Sequence, residues 1–200
     1  MRVSKEKAAQ NRERILTSAA RLFREHGIAA TGVDSITEDA GLTHGGLYSQ
    51  FGSKEAIAAE AIGFALARGK RVWQRALERN PGRRALPAIV EGYLSRAHRD
   101  APGNGCVVAA LGTDIARQPR RVRQAFTREI KNDLEFLSRL MPDDGHAGRY
   151  EDAIVAFASM AGALILARAV NDEELSELIL KATASRVIKR GKSRTAARRS

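Results

Sequence analysis

The chain has 200 residues, 44% of them hydrophobic, and a formal net charge of +11. That length holds one large domain or two modest ones with ample material for a core, and a single cysteine excludes an intrachain disulfide and suits a reducing, cytoplasmic setting. No apolar run reaches the roughly 20 residues a spanning helix needs, and no apolar segment follows the basic N-terminus as in a secretory leader, so neither a membrane partner nor a leader is expected.

Helical apolar spacing, and the lack of any long alternating Val/Ile/Thr run, predict an all-α fold of about nine helices. Residues 1–8 read as a flexible basic arm. The first helix is expected over 9–26, with Ile15, Ala19, Leu22 and Phe23 on one face and Gly27 as its stop. A second follows over 34–40 and a third from the N-cap Thr43 through Gln50. Ser53 is placed to cap a long helix over 54–79, with Glu55 in its first turn suiting the helix dipole. Further helices are predicted over 84–99, 106–117, 120–140, 148–170 and 173–187, separated by Asn80-Pro81-Gly82, Pro102-Gly103-Asn104-Gly105, Pro119 and Pro142-Asp143-Asp144-Gly145. The domains expected are a DNA-binding part over 9–53, an effector-binding and dimerisation part over 54–187, and a disordered basic tail over 188–200.

The helix over 148–170 is apolar on nearly every side and needs burial on more than one. Either it is the central core helix of a monomer, or it joins the helix after it and the same pair from a second copy in an isologous four-helix interface. The charge is uneven. Residues 181–200 carry eight Lys/Arg and no acid, whereas residues 1–57 carry eight Lys/Arg against seven Asp/Glu. The tail therefore offers non-specific attraction to DNA. Within the first part, the excess over Arg2, Lys5, Lys7, Arg12, Arg14, Arg21 and Arg24 is where phosphate contacts would start.

Residues 31–55 carry the most information. Ile36, Ala40, Leu42 and Leu47 suit two short helices meeting at an angle, and Gly41 between them tolerates the positive φ of a sharp turn. This is the pattern of a helix-turn-helix, whose second helix enters a major groove; a tight αα-hairpin in an ordinary bundle shares it. Gly45 and Gly46 cost that second helix about 1 kcal/mol each relative to Ala, which makes sense if its backbone must approach something bulky.

The stretch GLTHGGLYSQFGSKEAI resembles the TetR family of transcriptional repressors, at Gly41, Leu42, Thr43, His44, Gly45, Gly46, Leu47, Tyr48, Phe51, Lys54 and Glu55. The resemblance extends upstream through ILTSAARLFREHGIAATGVDSI and covers roughly the first 57 residues. It departs from the family at His44, where Lys or Arg is usual, and at Gly46, where Thr, Ser or Ala is common. It implies a dimeric regulator bound to a two-fold DNA operator, with Tyr48 and Lys54 on phosphates. Thr31 and Thr43 donate to phosphates from helix starts, and His44, Gly45 and Gly46 lie nearest the bases. His44 gains charge in mild acid, which would strengthen binding there.

An effector pocket is expected from Trp73, Tyr93, Cys106, Phe126, Phe157 and Met160, with Phe136 also within reach; each fits ordinary core as well. Cys106 opens a helix, where a thiolate is stabilised. GNGCVVAALGTDIA resembles a Gly-Cys segment of several repressors of this family, some responsive to electrophiles. A small apolar role suits Cys106 equally. No H-E-x-x-H, phosphate-loop or G-x-S-x-G pattern occurs, so neither an enzyme nor a metal or other cofactor is expected. The remaining alternative is an architectural DNA-binding protein without a ligand, which an apolar pocket in the second domain would disfavour.

Overall fold

Ile15, Ala19, Leu22 and Phe23 are all buried along one face of α1 (Lys5–His26), so the helical spacing read from the sequence is the face that packs. The structure, a computed structural model, describes residues 5–142 and 148–193. α1 begins inside the expected arm. Lys5, Glu6, Lys7 and Ala8 are competent helix formers and Glu6 lies in the first turn, favoured by the dipole. The rest of that arm lies outside the described residues.

α2 (Val33–Asp39), α3 (His44–Phe51) and α4 (Lys54–Arg79) follow. Ser53 caps α4, accepting from the Ala56 amide at 3.1 Å. The helix expected over 84–99 is broken. A 3-10 turn at Gly82–Arg84 leads into α5 (Ala85–Tyr93), and α6 (Arg96–Arg99) starts afresh because Ser95 Oγ accepts from the His98 amide at 3.2 Å. That local cap competes with a continuous helix. After a second 3-10 turn at Pro102–Asn104 come α7 (Val107–Ala116), α8 (Arg120–Ser138), α9 (Arg149–Ala169) and α10 (Glu173–Ser193). The chain is thus all-α, with ten α-helices among the described residues. α10 runs past the expected end at 187, carrying Lys189 and Arg190 into the helix; the remainder of the basic tail lies outside the described residues.

Two compact units emerge. One comprises the chain up to Arg68 together with Pro102–Glu129, the other Gly69–Ala101 together with the chain from Ile130. The packing does not follow a single boundary at residue 54, because α7 and the start of α8 cluster with the N-terminal helices. Within that unit the Ile28 amide donates to Asp114 Oδ2 of α7 at 3.0 Å. Its core holds Phe23, Ile36, Leu47, Ile57, Ile62 and Leu111, each worth roughly 2 kcal/mol relative to exposure.

The second unit is centred on α9, whose Met160 and Leu164 are fully buried, with Ile89, Val90 and Leu137. Contrary to the sequence expectation, α9 is long and apolar enough to cross a membrane by length and composition alone, with a mean hydropathy of 1.6. Its apolarity has a local cause: Ala153, Ala156, Phe157, Met160, Ala161, Ala163, Leu164 and Ala167 are buried within the unit. Arg168 and Ser176 fasten α9 to its neighbours. Arg168 donates to the carbonyls of His98 and Arg99, and Ser176 Oγ donates to that of Ala167.

Candidate nucleic-acid interface

Gly41 makes the turn. Its φ is +60°, a conformation L side chains resist. It follows Ala40, the C-cap of α2, in a Schellman arrangement, where the Leu42 amide donates to Thr37 O at 2.8 Å and the Gly41 amide to Glu38 O at 2.9 Å. Ala40 is buried beneath the turn, and Ile36 and Leu47 hold α2 and α3 to α1. Arg12 fixes the far end of α3: its Nη1 donates to Gln50 O at 3.0 Å, and its guanidinium lies 4.2 Å from the Phe51 ring centre. It also pairs with Glu60.

On the opposite side α3 exposes Thr43, His44, Gly45 and Tyr48. Tyr48 is 46% exposed, while Leu47 and Phe51 turn inward. The His44 ring stacks on that of Tyr48, with centroids 5.5 Å apart and planes 15° from parallel. His44 Nδ1 lies 2.8 Å from Asp34 Oδ1 on α2. A Cβ on Gly45 would meet nothing within 4 Å, and one on Gly46 only Thr43 Oγ1 at 3.6 Å, so no neighbour in the chain requires glycine at either position. Thr43 occupies the N-cap position without a side-chain cap bond. Lys54, half-buried at the start of α4, donates from Nζ to Ala29 O at 3.1 Å.

Two expectations need correction. Thr31 does not offer its hydroxyl to a phosphate: it is 3% exposed, and Oγ1 donates to Gly27 O at 2.7 Å and also faces Leu22 O. It closes the end of α1, where Gly27 has a φ of +87° and leaves carbonyls to satisfy. The basic excess of α1 is likewise largely engaged within the protein. Arg12 holds α3, Arg21 pairs with Glu25 and Asp39 at 2.5 Å each, and Arg24 donates to Gly103 O at 2.8 Å. Sequence reasoning missed Asp34, Arg12 and Asp114 as positioning groups, since no periodic pattern links them to their partners.

A family model described as "Bacterial regulatory proteins, tetR family" matches residues 15–61, which span α1, α2, α3 and the start of α4. The HTH-type transcriptional regulator Rv0196 of Mycobacterium tuberculosis is 28% identical over 173 residues, covering 80% of this chain and 86% of that protein. Its N-terminal helices are those of the TetR family. Both findings mark the chain as a DNA-binding transcriptional regulator, and the relative named is a regulator rather than an enzyme. Among solved structures, the reduced form of Escherichia coli NemR has a similar fold, with a TM-score of 0.75 at 20% identity over 88% of this chain and 94% of that one. A TetR-family regulator from Cytophaga hutchinsonii gives 0.76 at 21% identity over 94% and 96%.

The pocket residues expected from the sequence divide between the two units. Trp73, Tyr93 and Phe157 form a buried aromatic cluster in the second unit, with Trp73 5.8 Å from Phe157 edge to face and 6.2 Å from Phe136. These rings fill the space between one another, and Met160 is fully buried. Cys106 and Phe126 belong to the first unit. A cleft of about 320 Å³ in the second unit is lined instead by Met141, Asp152, Val155, Ser159, Arg186 and Arg190, among others. Cys106 is half-buried at the N-cap of α7. Its thiolate form would attract the Arg24 guanidinium, which burial nonetheless lowers to about 10.

Proposed function

We propose that this regulator is a cytoplasmic homodimeric repressor that holds an operator through two copies of α3. The carrying observation is the exposed face of α3, where Thr43, His44, Gly45 and Tyr48 line up with no partner in the chain that requires both glycines. In this reading His44, Gly45 and Gly46 face the bases, while Thr43, Tyr48 and Lys54 contact phosphates. Thr31 is left out because its hydroxyl is already engaged.

An exposed apolar face on α9 and α10 supports the dimer. Ile154, Val155, Ile165 and Leu166 on α9 and Leu175 and Leu178 on α10 are exposed, Leu178 by 62%. Two helices from each copy would bury this face in a four-helix interface. The two α3 helices would then sit about one DNA turn apart, ~34 Å.

An effector, either a small molecule or a thiol-reactive compound, would release the operator. It acts only to the extent that it binds the released conformation better than the DNA-bound one. The cleft of about 320 Å³ supports a ligand-responsive protein over a purely architectural one. For the thiol route, the similar fold of NemR was solved in a reduced form, and in this chain a redox-dependent state would run through Cys106. Alkylation of that thiol should then weaken operator binding; unchanged affinity of the fully alkylated protein would reject the route.

The reading is tested by pairing Leu166→Glu with Leu178→Glu. The variant should run as a monomer in sedimentation and lose operator affinity more than tenfold. A monomer that retains full affinity would contradict the two-fold mode.

A further inference from the structure

We infer that Asp34 sets the tautomer of His44, so that the neutral ring presents a hydrogen-bond acceptor to DNA from α3 and reads an amino group, that of cytosine or adenine. This rests on the proposed reading of α3 as the base-reading helix. His44 is the first residue of α3, and its Nδ1 lies 2.8 Å from Asp34 Oδ1. A carboxylate only accepts, so Nδ1 must carry the proton. In the neutral ring Nε2 is then left with a lone pair and no hydrogen.

The ring is held from a second direction as well. Tyr48, one turn on, stacks on it nearly parallel. α2 and α3 thus fix both the direction and the protonation of one imidazole at an exposed helix start. The titratable group facing it from α2 is Asp34 and that from α3 is Tyr48. From α1, Arg14 reaches the Gly41 turn, its Nη2 2.7 Å from where a Cβ on Gly41 would lie.

The major groove shows two kinds of donor, the N4 amino group of cytosine and the N6 amino group of adenine. Guanine offers only acceptors there, O6 and N7, which an Nε2 lone pair repels.

The test is selection of bound duplexes from a randomised pool with the full chain. The wild type should enrich cytosine or adenine at one position per half-site, over guanine by about fivefold. Asp34→Ala frees the ring to take the Nε2–H tautomer, so guanine, which offers two acceptors, should gain at that position relative to the wild type, and no other position should change. Asp34→Asn, which keeps the size of a side chain already 87% exposed, should shift in the same direction by less and guards against a fold defect in the alanine variant. His44→Ala should show no preference there. Guanine enriched by the wild type, or one preference shared by wild type and both Asp34 variants, would overturn the tautomer assignment alone. No enriched sequence for the wild type would overturn the base-reading role of α3 and the assignment with it.

Discussion

Arg24 of α1 donates through Nε to the carbonyl oxygen of Gly103 at 2.8 Å, and its Nη2 reaches the same oxygen. This bond fastens the end of α1 to the turn ahead of Cys106 and α7. It joins residues 79 positions apart in sequence within one compact unit. The α1 end also carries Thr31, closed back on Gly27, so the same few residues anchor the helix that α2 and α3 pack against.

Arg24→Met should therefore destabilise the protein. The apolar stem is kept, but Gly103 O loses its charged donor, a cost of about 1–3 kcal/mol. Chemical denaturation should show a lower midpoint with an unchanged slope. Arg24→Lys should recover part of the loss, since one ammonium hydrogen bond replaces a forked one.

Gly45→Ala separates stability from function. A Cβ at this position meets nothing in the chain, and Ala is the better helix former by about 1 kcal/mol. The variant should unfold at a higher temperature than the wild type. Its operator affinity should fall, because the added methyl stands between the α3 backbone and the groove. A variant that is both more stable and equally tight would show that the backbone does not approach DNA there.

His98 gives the second unit a pH dependence. Burial, the largest influence, lowers its pKa below the ordinary 6.5; the bond to the Tyr93 carbonyl opposes this, and Arg168 lowers it further. The unfolded chain therefore takes up the proton more readily than the folded one. The stability involved is complete above the ordinary value and is lost as pH falls through it. The thermal midpoint should drop between about pH 7 and about pH 5, and His98→Gln should flatten that drop.

Most of the fold was legible in the sequence because its signals are local. The face of α1, the Gly41 turn and the Ser53 cap each depend on residues within one or two turns of each other. The expected helix over 84–99 failed for an equally local reason, the cap at Ser95, which apolar spacing does not register. The site was legible only in part. Tyr48 and His44 could be placed on α3 by period, but Asp34 meets His44 through the angle between two helices, which no spacing encodes. The same limit hid the engagement of Arg12, Arg21 and Arg24, which in sequence look like an available basic face. The effector pocket was not legible because no periodic pattern tells an aromatic side chain that lines a cavity from one that fills it.

The basic tail needs a narrower deletion than its composition suggests. α10 continues to Ser193, and Arg190 pairs with Asp152 at 3.0 Å. Removing residues 194–200 should weaken non-specific DNA binding and make it less salt-dependent, with operator affinity nearly unchanged. Removal from residue 189 onward should also lower stability, because the Arg190 pair is lost. An equal salt slope with and without residues 194–200 would contradict a DNA-attracting tail.

Operator recognition by α3 in a two-fold dimer can be measured by selecting bound duplexes with the purified chain and then titrating the enriched duplex with wild type and Tyr48→Ala. An inverted repeat with half-sites about one helical turn apart is expected, with a loss of at least tenfold in affinity for the variant. Enrichment of no sequence, or of one that Tyr48→Ala binds as tightly as the wild type does, would contradict it.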